Sequence, residues 1–62
     1  MCESNAFLKK GDTEELVLEN VSFVHPKDGK LVLASLFGDE VVLDAVIVQI
    51  DLMAHKILLE ER

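Results

Sequence analysis

Tryptophan and tyrosine are absent from this 62-residue chain, and phenylalanine occurs only three times. Stacking platforms for unpaired bases are therefore scarce. Positive charge is scarce too: six Lys and Arg stand against twelve Asp and Glu, a net charge of −6. Polyanion binding gains most of its affinity from counterions released by Lys and Arg, so this balance argues against nucleic acid. A cationic partner or a metal ion suits it better. The single cysteine excludes an internal disulfide. No apolar run approaches the ~20 residues of a bilayer span. The start, Met1-Cys2-Glu3-Ser4, carries an acid where a secretory leader has basic residues and then an apolar stretch. The expectation is a cytoplasmic protein with no membrane association.

What is present is a half-apolar composition, enough to exclude disorder but sufficient for only one core. Residues 1–62 are expected to form a single domain. Folding a chain of this size buries roughly 6,000 Å². With about 60% of that apolar, burial contributes about 90 kcal/mol at ~25 cal/mol/Å². Ordering costs about 1.5 kcal/mol per residue, again about 90 kcal/mol. The balance is near zero, which favours an oligomer, a bound metal, or both.

Apolar residues recur with period two, the signature of strands. Leu16 and Leu18 are flanked by Glu15, Val17 and Glu19, and Val46, Val48, Ile50 and Leu52 alternate with Ile47, Gln49 and Asp51. Turn residues punctuate the runs at Lys10-Gly11-Asp12, His25-Pro26-Lys27-Asp28-Gly29, Gly38-Asp39 and, more weakly, Met53-Ala54-His55. Five to seven short strands are expected, near 5–10, 14–19, 20–25, 30–37, 40–44, 45–52 and 55–60. Short strands with regular turns indicate an all-β fold, a small antiparallel barrel of the SH3 or Sm-like kind. Runs 31–37 and 41–50 are apolar on both faces. One face would line the barrel, and the other would form a subunit interface.

Cys2 is the main chemical candidate. If Met1 is removed, its amine and thiolate close a five-membered chelate. If Met1 stays, its amine joins the Cys2 amide nitrogen and thiolate. Either mixed nitrogen and sulfur set suits square-planar nickel(II) or copper(II). Two chains at a two-fold axis could complete four ligands. The plain alternative is a small buried hydrophobe or idle thiol. Tetrahedral zinc would need further Cys or His at ligand spacing, and the sequence has none. His25 and His55 read as solvated turn residues. Catalysis by Cys2 with either histidine is disfavoured because so small a domain leaves little room for a substrate. Asp12, Glu14, Glu15 and Glu19, and Asp39, Glu40 and Asp44, read as solvated faces without calcium-loop spacing. Asp51 reads as a turn cap.

Several segments taken in order carry a family resemblance. They are Met1-Cys2, Leu18-Glu19-Asn20-Val21, Gly29-Lys30-Leu31 leading to Leu36-Phe37-Gly38-Asp39-Glu40, Ile50-Asp51-Leu52, and Lys56-Ile57-Leu58-Leu59-Glu60. Over essentially the whole chain this pattern resembles the CooT family of nickel-binding accessory proteins associated with carbon monoxide dehydrogenase maturation. The resemblance implies a homodimeric β-barrel, not an enzyme, that binds Ni(II) through Cys2 and the main chain of Met1. It also implies a nickel-enzyme client, carbon monoxide dehydrogenase. Glu3 departs from the apolar residue that often follows the cysteine there, without removing a ligand. The Met-Cys start is similar to that of the hydrogenase chaperone HypC, but this shorter chain does not otherwise follow that pattern. Two alternatives stay open. One is an interaction module that docks a metalloenzyme without tight nickel binding of its own. The other, an RNA-binding barrel, rests on analogy with Sm-like folds.

Overall fold

The computed structural model describes residues 4–62 as an all-β fold of six strands: β1 Ser4–Lys10, β2 Thr13–Lys27, β3 Lys30–Ser35, β4 Glu40–Leu43, β5 Ala45–Asp51 and β6 Lys56–Glu61. They form one sheet in the order β4-β3-β2-β1-β6-β5, curled into a half-barrel. The expected all-β, barrel-like class and the strand number hold. Two details differ. The strands expected at 14–19 and 20–25 are one continuous strand, β2. And β1 pairs β6 in parallel, the other four pairings being antiparallel.

The bend in β2 explains the first difference. Residues 13–21 of β2 pair with β1, and residues 21–27 pair with β3. Register shifts fall on both sides of Asn20, which sits at φ 55°. Bulges bend a strand and increase its twist, and Asn tolerates the left-handed region better than most residues. Val21, next along, pairs with both Ser4 and Ser35, so the strand turns the corner without losing either partner.

The turns follow from their residues. Asp28 and Gly29 both take positive φ, 52° and 78°, as a two-residue type I′ hairpin requires. Ser35 is buried, and its Oγ accepts hydrogen bonds from the N–H groups of Phe37 and Asp39, both at 3.1 Å. Asp51 caps a turn as expected, its Oδ1 accepting from Met53 N–H at 3.1 Å and Ala54 N–H at 3.0 Å.

The curl packs Ala6, Leu8, Val21, Leu31, Leu33, Ala45, Ile57 and Leu59 into one core. Ala6, Leu33 and Leu59 have no exposed surface. The two runs expected to be apolar on both faces diverge. In β3, Leu31, Val32 and Leu33 are all buried within the chain. In β5, Val46, Ile47, Val48 and Ile50 are 40–54% exposed. β4 and β5 are the two sheet edges although Asp44 alone separates them.

Candidate metal centre

Cys2 and Met1, the metal ligands expected from the sequence, lie outside the described residues, as does Glu3. What is described is the corner from which β1 begins. Ser4 pairs with Val21, and Asn5 is fixed on three sides. Its N–H donates to the His55 carbonyl at 2.8 Å, its Oδ1 accepts from the Asn20 N–H at 3.2 Å, and in the parallel ladder it pairs with Lys56. Asn20 passes the connection on, its carbonyl accepting from Leu36 N–H at 2.8 Å. Ala6 follows, fully buried. An ion pair ties the same region together: Lys56 Nζ bonds Glu14 and lies 5.3 Å from the centre of the Phe7 ring. A cation over an aromatic face adds modestly to such a tie.

Hydrogen bonds thus link β1's start to a turn on each side. One is the Ser35–Asp39 turn, reached through Asn20, and the other is the Asp51–His55 turn, reached through His55. Both turns carry exposed apolar side chains. Leu36 is 52% exposed, Phe37 73%, Leu52 76% and Met53 92%. Turn backbones are held by Ser35 and Asp51, so these side chains stand on fixed supports.

The remaining polar candidates do not assemble. Among the described residues, no three His, Cys, Asp or Glu side chains gather into a metal-binding group. His25 is exposed on β2, opposite Val32, with its ring centre 5.3 Å from that of Phe23. His55 is exposed at φ 55°, and its carbonyl is the group in use. Glu14 and Glu15 pair with Lys56 and Lys10. Sequence reasoning missed Asn5 and Asn20, the two residues that hold the start of β1. The usable signal was an Asn between the apolar pairs Val17-Leu18 and Val21-Phe23, where a residue tolerant of positive φ marks a bend.

Comparisons with known proteins bear on the same fold. The family model for the CO dehydrogenase accessory protein CooT matches residues 1–60. A crystal structure assigned to CooT from Carboxydothermus hydrogenoformans superposes with a TM-score of 0.94 at 43% identity, covering 98% of this chain and 98% of that one. Among curated protein sequences, none matches this chain.

Proposed function

This chain belongs to the CooT family of CO dehydrogenase accessory proteins, and from that premise we propose that it is a nickel(II) carrier for that enzyme. It is an accessory protein rather than an enzyme. In this reading Cys2 supplies a thiolate, and the main chain at Met1 and Cys2 supplies nitrogen. Two N-termini of a homodimer hold one ion between them, in the cytoplasm, and pass it to CO dehydrogenase.

The donor chemistry supports nickel as cargo. Thiolate and amine or amide nitrogen form a strong in-plane field, which favours square-planar nickel(II). A site made of two short arms from separate chains is open and opens further if the dimer parts, which suits an ion that must leave again. The chain's net charge of −6 attracts a divalent cation from solution.

The observation that carries the reading is the match of the CooT family model across a segment that includes Met1 and Cys2. The dimer draws support from the surface. Among the described residues, eleven large apolar side chains are 40% or more exposed, more than a lone small domain comfortably shows to water. Leu36, Phe37, Leu52 and Met53 stand on the turns tied to the start of β1, where a second copy would cover them while bringing the two N-termini together. Light scattering coupled to gel filtration tests the state: a mass of two chains supports the shared site, and a single-chain mass with and without nickel contradicts it.

A further inference from the structure

We draw no further inference here: the strongest candidate, the surface groove across β2, β3 and β4 lined by Phe23, Val32 and Val42, is an unpartnered apolar face whose rim carries charges of both signs, Lys27 and Lys30 with Asp28 and Glu40, and nothing in the structure shows what covers it.

Discussion

The Asn20 N–H donates to the side-chain oxygen of Asn5 across fifteen residues, at 3.2 Å, and this bond joins the bend of β2 to the first residues of β1. Asn5→Ala removes the acceptor and leaves a part-buried N–H unpaired. The expected cost is about 1 kcal/mol, which for a domain this small lowers the melting temperature by about 4–8 °C. Thermal melting followed by circular dichroism checks it. Under the proposed function the same change also weakens nickel binding without altering its stoichiometry.

Asn20 itself separates two demands. Its φ of 55° is open to Gly and resisted by a β-branched residue. Asn20→Gly is expected to cost less than about 1 kcal/mol, and Asn20→Val about 1–2 kcal/mol more than that. Urea denaturation of the pair decides it. Equal midpoints would mean that the bend does not depend on the left-handed conformation at this position.

Leu59 has no exposed surface and sits on β6, which pairs β1 in parallel and β5 antiparallel. Leu59→Ala leaves a cavity and is expected to cost about 2–5 kcal/mol, a large share of what a 62-residue domain has. The expected result is a partly or fully unfolded chain at 37 °C. A melting temperature within a few degrees of the parent would contradict this core assignment.

Phe37 and Met53 stand on the two turns linked through Asn20 and His55 to the start of β1. Neither side chain is part of the core, so the double change Phe37→Ser with Met53→Ser should leave the fold intact. Proposed as the surface between copies, they predict a shift from dimer to monomer and a nickel affinity at least tenfold weaker. Sedimentation and metal titration of the double variant measure both. A dimer of unchanged stability would remove these turns from the interface.

The strands were largely legible because period-two alternation reports burial on one face directly. Turns at Gly11, Asp28-Gly29 and Gly38 were legible because positive φ selects Gly, Asn or Asp. Two things were not legible. Alternation breaks at Glu19-Asn20 and resumes in the other phase at Val21, a break that a turn between two straight strands and a bulge in one bent strand produce alike. Nor does local pattern specify which strands pair, and the parallel β1–β6 ladder is set by packing between residues about fifty positions apart in sequence. The apolar runs of β3 and β5 read alike in sequence, yet one is covered within the chain and the other is not, because β3 lies inside the sheet order and β5 at its edge. Of the candidate site, Cys2 and Met1 are proposed from residue chemistry and family pattern and lie outside the described residues. Asn5, Asn20 and the His55 carbonyl were not legible, since their roles exist only once β2 bends.

The most direct test is an anaerobic nickel titration of reduced, tag-free protein, followed by absorption and repeated on Cys2→Ser. The account predicts thiolate-to-nickel charge-transfer bands that saturate at one ion per two chains and vanish in the variant. Apparent affinity should rise with pH, because the metal displaces the thiol proton. Tight, stoichiometric nickel binding retained by a folded Cys2→Ser protein would contradict it.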